Sequence, residues 1–171
     1  LFFFPFIFIL SLVLYIHEFF FFAFDDYIKG GSGDDIMSGG DGKDRLTGYT
    51  GDDALDGGAG NDTLYLGAGT DIATGGYGSD RFVFRFDDLD GSTDRITDFR
   101  HAGGEKDRLD MRALDLLSGG LSTDEWIAAF VFKQDDNSVS VDLGDCTVNF
   151  DARDDDAEGA LYQEICDGFL F

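Results

Sequence analysis

The hydrophobic positions divide the chain into three stretches that differ in their spacing. Residues 1–24 are apolar almost without interruption and contain ten of the 19 Phe of the chain. Residues 30–83 place one apolar residue at a fixed point in every nine positions. Residues 84–171 contain short runs in which apolar and polar residues alternate, as in ordinary strands. The pattern therefore predicts three parts, residues 1–29, 30–83 and 84–171.

The middle part is built from six nine-residue repeats without an insertion. The fourth position is always Gly, the sixth is always Asp and the eighth is always apolar. The aspartates are Asp35, Asp44, Asp53, Asp62, Asp71 and Asp80, and the apolar residues are Met37, Leu46, Leu55, Leu64, Ala73 and Phe82. Glycine adopts positive φ without steric cost, so each repeat predicts a six-residue turn followed by a three-residue strand.

One such unit buries almost nothing, so the repeats have to stack and share a narrow core. Two repeats complete one turn of 18 residues, which places the aspartates in two ladders on opposite edges. One ladder contains Asp35, Asp53 and Asp71, and the other contains Asp44, Asp62 and Asp80. Because stacked strands lie about 4.8 Å apart, the carboxylates of a ladder repel one another unless a cation lies between them.

The composition agrees with a cationic partner. The chain has 35 Asp and Glu against 12 Lys and Arg, a net charge of −23, which argues against nucleic acid as a partner. Calcium takes six to eight oxygen ligands, which carboxylates and turn carbonyls supply. Zinc and copper prefer His or Cys, and residues 30–83 contain neither. A site between each repeat and the next but one predicts about four ions, bound by Asp35 and Asp53, Asp44 and Asp62, Asp53 and Asp71, and Asp62 and Asp80.

The repeat Gly-Gly-x-Gly-x-Asp-x-apolar-x resembles that of the RTX, or haemolysin-type calcium-binding, family. The resemblance covers 54 of 171 residues and implies a parallel β-roll with calcium in its turns. Besides the six aspartates, it implies a role in the metal sites for the turn glycines Gly31, Gly33, Gly40, Gly42, Gly51, Gly58, Gly60, Gly67, Gly69, Gly76 and Gly78. Tyr49 replaces the second Gly of its repeat and Leu66 the first, so we expect weaker sites beside these two repeats.

The third part predicts a β-rich cap on the roll. Residues 130–133 and 139–143 predict a hairpin, and the alternation over residues 146–150 predicts a further strand. A capping box at residues 122–125 predicts one short helix that continues to residue 130. The predicted fold is therefore all-β, a two-sheet parallel β-roll with a β-rich C-terminal cap that contains one short helix.

Three segments of the third part resemble exported proteins. Residues 94–99 and 107–111 are similar to the segment that follows the repeats in serralysin-type metalloproteases (peptidase family M10) and in other type I-secreted proteins. Residues 167–171 are similar to the acidic-then-hydrophobic ending of type I secretion signals, with an exposed tail as the alternative. The resemblance implies a secreted, extracellular protein and a type I secretion apparatus as a partner.

Residues 1–29 and the two cysteines allow several interpretations. The apolar run is long enough to cross a bilayer, but the pair His17 and Glu18 is unfavourable at the centre of a span. A membrane anchor or atypical signal, a buried strand or helix, and a fragment edge or translation artefact remain alternatives, so the membrane as a partner stays open. Cys146 is either a buried apolar thiol or disulfide-bonded to Cys166.

No catalytic constellation is visible, so we expect no enzyme in this chain. The zinc motif of serralysins is His-Glu-x-x-His. Here His17 and Glu18 are followed by Phe21 at the position of the second His, and the other histidine of the chain is His101. The predicted function is calcium binding that drives folding of a secreted, non-catalytic module. The alternatives are a C-terminal fragment of a secreted enzyme, such as a serralysin-like zinc metalloprotease or a polysaccharide epimerase, and an extracellular adhesion or matrix protein.

Overall fold

The computed structural model describes residues 17–20, 23–85, 88–100, 106–111, 131–133, 138–142, 146–151 and 169–170. The regular elements in these ranges are β-strands. In chain order they are β1 (His17–Phe20), β2 (Tyr27–Ser32), β3 (Asp35–Gly42), β4 (Arg45–Thr50), β5 (Ala54–Gly60), β6 (Thr63–Ala68), β7 (Ile72–Tyr77), β8 (Arg81–Val83), β9 (Thr93–Ile96), β10 (Arg108–Asp110), β11 (Val131–Lys133), β12 (Val139–Asp142), β13 (Thr147–Phe150) and β14 (Phe169–Leu170).

From β1 to β10, successive strands alternate between two sheets. The first sheet has the order β1-β3-β5-β7-β9-β13-β12-β11, and the second has the order β14-β10-β8-β6-β4-β2. All pairs are parallel except β11 with β12 and β12 with β13, which are antiparallel. The fold is a parallel β-roll whose first sheet ends in an antiparallel meander, so the predicted fold class is confirmed.

The register shows that the roll is longer than residues 30–83. Within the repeats, each strand pairs with the strand 18 residues later, as Thr63 does with Arg81. Ile72 then pairs with Arg95, 23 residues later, and Arg81 pairs with Arg108, 27 residues later. The strands β9 and β10 therefore continue the roll, and the 5 and 9 extra residues lie in the connections. The parallel pairing of the roll thus continues past residue 83, and the division of the chain into domains at that residue stays a prediction.

The core is a stack of the inward-facing eighth-position residues. Ile28, Met37, Leu46, Leu55, Leu64, Ala73, Phe82, Ile96 and Leu109 are all buried. Towards the C-terminal end the core widens, because Phe99 packs edge-on against Phe150 with ring centroids 5.5 Å apart. One inward apolar residue per repeat is therefore confirmed, and Ile28 extends the stack before residue 30.

Several predictions for the termini are settled and others fall outside the described residues. The antiparallel pairing of β11 and β12 confirms the hairpin, and β13 confirms the strand after it. Cys146 is buried and is not disulfide-bonded, whereas Cys166 lies outside the described residues. The helix predicted over residues 122–130, all of residues 1–16, and residues 167, 168 and 171 also lie outside them.

The N-terminal part contributes strands to both sheets. The strand β1 pairs in parallel with β3, and β2 pairs in parallel with β4. Over the residues that the structure describes, no helix has the length and apolar character needed to cross a membrane.

Candidate calcium-binding turns

The sixth-position aspartates form two ladders, as predicted, and hydrogen bonds connect their rungs. In the first ladder, the backbone N–H of Asp35 donates to Oδ1 of Asp53 over 2.8 Å, and that of Asp53 donates to Oδ1 of Asp71 over 2.8 Å. In the second ladder, Asp44 donates to Asp62 in the same way over 2.8 Å. All six predicted aspartates are at most 2% exposed. One oxygen of each accepting carboxylate, such as Asp53, Asp62 and Asp71, thus fixes the turn that precedes it.

Three further aspartates belong to the ladders and were missed in the sequence. The backbone N–H of Asp26 donates to Oδ1 of Asp44 over 2.8 Å, and Asp94 and Asp107 accept from Asp71 and Asp80 over 3.0 and 2.8 Å. The complete ladders are Asp35, Asp53, Asp71 and Asp94 on one edge, and Asp26, Asp44, Asp62, Asp80 and Asp107 on the other. The signal was the triplet Asp-x-apolar, which persists where the glycines are lost.

The second carboxylate oxygen of the central rungs receives no hydrogen bond from the part of the chain that the structure describes. Oδ2 of Asp44, Asp53, Asp62 and Asp71 is buried and has no hydrogen-bond partner among the described residues. A buried, unsatisfied charged oxygen costs at least about 1–3 kcal/mol. A cation bound at this oxygen would remove that cost.

The first residue of a repeat determines the space beside this oxygen. A Cβ atom built on Gly39 would lie 2.3 Å from Oδ2 of Asp44 and 2.6 Å from the carbonyl oxygen of Gly57. On Gly57 it would lie 2.6 Å from both Oδ2 of Asp62 and the carbonyl oxygen of Gly75. The absence of a side chain therefore leaves a cradle in which a carboxylate oxygen and a main-chain oxygen one turn later converge. Carboxylate and carbonyl oxygens are the kind of ligand that calcium prefers.

A carboxylate oxygen and a main-chain carbonyl oxygen converge in this way at four first-position glycines. These are Gly30 with Asp35 and Gly48, Gly39 with Asp44 and Gly57, Gly48 with Asp53 and Leu66, and Gly57 with Asp62 and Gly75, where the last residue of each set supplies the carbonyl. Leu66 takes part through its main chain, which any residue provides, so its side chain does not remove this donor. The weaker sites expected beside the repeats of Tyr49 and Leu66 remain a prediction.

The predicted turn glycines serve the backbone conformation. All eleven have positive φ, between 95 and 150°. Tyr49 occupies a second position and adopts φ 81°, and Phe24 occupies a fourth position with φ 150°. Ligation by these eleven glycines remains a prediction. The carbonyl oxygens that the structure places beside the aspartates belong instead to first-position residues, which the sequence analysis omitted.

Burial disfavours the ionised form of the ladder aspartates when no cation is bound. It raises the pKa of Asp53 and of Asp62 to about 7 and that of Asp71 to about 6, although the main-chain hydrogen bond to each acts in the opposite direction. Neighbouring rungs raise the pKa of Asp53 and Asp62 further. Bound protons or bound cations are therefore alternative ways to neutralise the folded ladders.

Side chains of the described residues do not by themselves complete a metal site. Within the described ranges, no three His, Cys, Asp or Glu side chains are grouped closely enough to hold a metal ion. Main-chain carbonyl oxygens have to supply the remaining ligands, which suits calcium better than zinc or copper.

A family model described as "RTX calcium-binding nonapeptide repeat (4 copies)" matches residues 23–46, 38–73 and 47–82. Residues 23–82 are RTX repeats. The match begins at residue 23, in agreement with the place of Asp26 in its ladder.

A search of solved structures finds a similar module, and a search of curated proteins finds none. The solution structure of the AlgE6R3 subunit from the Azotobacter vinelandii mannuronan C5-epimerase is 28% identical in sequence to this chain. The match covers 87% of this chain and 79% of that chain, with a TM-score of 0.30. No curated protein matches the sequence.

Protein donors occupy the last rung of each RTX ladder. Oδ2 of Asp107 accepts from the backbone N–H of Arg100 over 2.8 Å, and Oδ2 of Asp94 accepts from the thiol of Cys146 over 3.7 Å. Burial, followed by the charge of Asp94, raises the pKa of Cys146 to about 12, so the thiol keeps its proton. The carboxylate oxygens available to a cation therefore belong to the repeats, and the C-terminal rung of each ladder is closed by the protein.

The RTX turns carry a second, exposed series of links at the fifth position, which the sequence analysis missed. Oδ1 of Asp34 accepts from the backbone N–H of Asp52 over 2.9 Å, and Oδ1 of Asp52 accepts from Thr70 over 2.8 Å. On the other edge, Asn61 accepts in the same way from Ser79 over 2.9 Å. These side chains bind the turn that follows them, whereas the buried aspartates bind the turn that precedes them.

Proposed function

We propose that calcium binding in the RTX turns drives the folding of this roll, and that about four ions are bound. The buried Oδ2 atoms without a protein donor carry the proposal. Three cradles, at Gly39, Gly48 and Gly57, combine such an oxygen with a carbonyl oxygen from the next turn. With the cradle at Gly30, which has the same geometry, the number of cradles equals the four sites expected from six repeats. Calcium supplies positive charge and vacant coordination positions, while the chain supplies the oxygens and the turn geometry.

Binding and folding are coupled because the cradles exist only in the stacked roll. Each pairs an aspartate with a carbonyl oxygen that is far from it in sequence, such as Asp44 with Gly57. An ion that binds the folded chain and not the unfolded chain stabilises folding by RT ln(1 + [Ca]/Kd), about 2.7 kcal/mol per site at 100 times Kd. The repulsion within the unoccupied ladders opposes folding until that point.

This coupling suits a protein that acts outside the cell. In the cytosol, where calcium is scarce, the ladders favour an unfolded chain that can pass a narrow export channel. Outside, calcium is plentiful and the roll folds. We therefore propose a secreted, non-catalytic module exported by a type I apparatus. The resemblance of the repeats and of residues 167–171 to exported proteins supports this. Deletion of residues 167–171 should leave the protein inside the cell, and normal export of the truncated protein would contradict the signal.

The alternative is a C-terminal accessory part of a secreted enzyme, either a serralysin-like protease or a polysaccharide epimerase. Sequencing of the gene upstream of Leu1 distinguishes a non-catalytic protein from an accessory part of an enzyme. A catalytic domain encoded there would make this chain an accessory part.

Calcium titration followed by far-ultraviolet circular dichroism tests the central proposal. We expect a weak β signal in chelator, a cooperative rise with calcium, and a much smaller response to magnesium, whose octahedral geometry is stricter. A full β signal in chelator, or an equal response to both ions, would contradict it. Native mass spectrometry of the folded protein counts the ions.

A further inference from the structure

We propose that the outer edge of β10 is a strand-addition site whose occupant is the C-terminal strand β14 of the same chain, so that calcium-driven folding withdraws β14 from every other partner. This rests on the proposed function, because β10 exists only in the folded roll and β14 lies within the candidate export signal, residues 167–171. One short segment then has two partners that exclude each other, the folded roll and an export apparatus.

The second sheet ends in β14, which lies beside β10. The sheet order is β14-β10-β8-β6-β4-β2, and the register places Leu109 opposite Phe169 and Asp110 opposite Leu170 in parallel. No nine-residue phase connects the two strands, since β10 ends at Asp110 and β14 begins only at Phe169. β14 is therefore not a further repeat. It is an extended segment added to the edge of a sheet, a mode of peptide recognition that uses main-chain hydrogen bonds.

The main chain of β10 presents hydrogen-bonding groups to β14. The N–H of Arg108 donates to the carbonyl oxygen of Asp80 over 2.8 Å, and the carbonyl oxygen of Asp110 accepts from the N–H of Phe84 over 3.0 Å, so both groups face the β8 side. Because alternate residues of a strand direct their main-chain groups to opposite sides, the N–H and carbonyl of Leu109 face β14. Leu109 is fully buried, and buried main-chain groups require partners.

The register identifies which amide of β14 is bound. In a parallel pair, the carbonyl oxygen of a residue accepts from the residue that follows its partner in register. The partner of Leu109 is Phe169, so the N–H of Leu170 faces the carbonyl oxygen of Leu109 and the N–H of Phe169 points away from β10. Two adjacent amides are thus predicted to differ, whereas adsorption of an apolar tail would treat both alike.

The attachment is short, which makes it dependent on folding. β14 pairs with β10 at two positions, whereas β3 pairs with β5 from Ile36 to Gly42. Two paired residues bind weakly by themselves, but a covalent connection gives an effective concentration on the order of millimolar. Loss of the folded β10 removes the whole site. β14 is therefore bound in the calcium-loaded roll and free in the unfolded chain.

Amide hydrogen exchange of the full chain, followed residue by residue by nuclear magnetic resonance, tests the strand addition. In saturating calcium, we expect the amide of Leu170 to exchange at least about tenfold more slowly than that of Phe169, after correction for intrinsic rates. In chelator, both should exchange at the rate of an unfolded chain. Equal exchange of the two amides in calcium would overturn the proposal.

A second experiment measures withdrawal from a partner, with an antibody fragment raised against a peptide of residues 164–171 as the probe. Its affinity for the full chain should be at least about tenfold weaker in calcium than in chelator. Leu170→Pro removes the bound N–H and should abolish this difference, whereas the control Phe169→Pro removes the N–H that points away and should keep it. Each variant is compared with itself in chelator, so a changed epitope leaves the ratio unaffected. Equal ratios in the two variants would count against the site.

Circular dichroism in calcium separates this proposal from the one on which it rests. A chain that stays unfolded in calcium contradicts calcium-driven folding and, with it, the withdrawal of β14. A folded chain in which Leu170 exchanges freely contradicts only the strand addition. Light scattering identifies whose tail occupies the site, because a dimer with a protected Leu170 would place the tail on a second copy and overturn its addition within one chain.

Discussion

Asp53→Asn should change stability in opposite directions with and without calcium. Oδ1 of Asp53 accepts the backbone N–H of Asp35, and asparagine can keep that bond. Oδ2 faces the cradle at Gly48, where asparagine would place a neutral amide group. The substitution therefore removes the charge that repels in the calcium-free ladder and the ligand that binds in the calcium-loaded one.

The two magnitudes follow from the structure. A pKa of about 7 for Asp53, against 3.8 ordinarily, corresponds to an upper limit of about 4 kcal/mol at about 1.4 kcal/mol per unit. Burial of the charge is the largest cause of this shift, and the smaller repulsion is shared with neighbouring carboxylates, so we expect Asp53→Asn to stabilise the calcium-free roll by about 2 kcal/mol at pH 8. At 100 times Kd, loss of one calcium site should destabilise the loaded roll by about 3 kcal/mol.

Asp52→Asn is the matched control for this prediction. Asp52 is the neighbour of Asp53, it is exposed, and its Oδ1 accepts from Thr70, which asparagine can also do. Urea unfolding followed by circular dichroism, in chelator and in saturating calcium, measures both effects. A change of the same sign in both conditions, or equal changes in the two variants, would refute the role assigned to Asp53.

Four further measurements probe the turns. Because burial raises the pKa of ladder aspartates in the folded state, the calcium-free roll binds more protons than the unfolded chain. Its stability should therefore fall as the pH rises from about 4 to about 7. A circular dichroism β signal in chelator that grows over this range would contradict this. Tyr49→Gly should raise the free energy of unfolding, measured by urea unfolding in calcium, by about 1 kcal/mol because it relieves a positive φ. The control Tyr77→Gly, at an exposed residue, should not raise it. Gly57→Ala fills a cradle, so native mass spectrometry should find one calcium ion fewer. The control Gly33→Ala should strain the turn but keep the number of ions, because nothing lies within 4 Å of its new Cβ. The thiol of Cys146 should react with Ellman's reagent only after denaturation, and rapid reaction in calcium would show that the closed end of the ladder opens.

The sequence predicted the repeat part of the fold because its determinants are local and periodic. A fixed nine-residue phase places Asp53 and Leu55 of the same repeat on the edge and in the core, whatever the variable residues are. The inserted 5 and 9 residues before Asp94 and Asp107 interrupt the phase, so only the pairing of strands reveals that they are rungs.

Other parts of the site depend on contacts between turns that have no fixed residue type. Asp34, Asn61 and Ser79 differ in side chain, yet each accepts a main-chain hydrogen bond from the following turn. The thiol that closes the ladder at Asp94 comes from Cys146, 52 residues away, and no short-range pattern predicts such a pairing.

The alternation of strands between two sheets gives the roll a parity. Addition or removal of 18 residues moves later strands along the axis by one layer and leaves each on its own sheet. Removal of nine residues, for example 48–56, would exchange the sheets of all later strands. Arg81 and Arg108 would then face away from Lys29 and Arg45, and each downstream aspartate would move to the opposite edge. Length changes that preserve both surfaces are therefore expected in pairs of repeats, and a single-repeat change would have to be compensated by a second one.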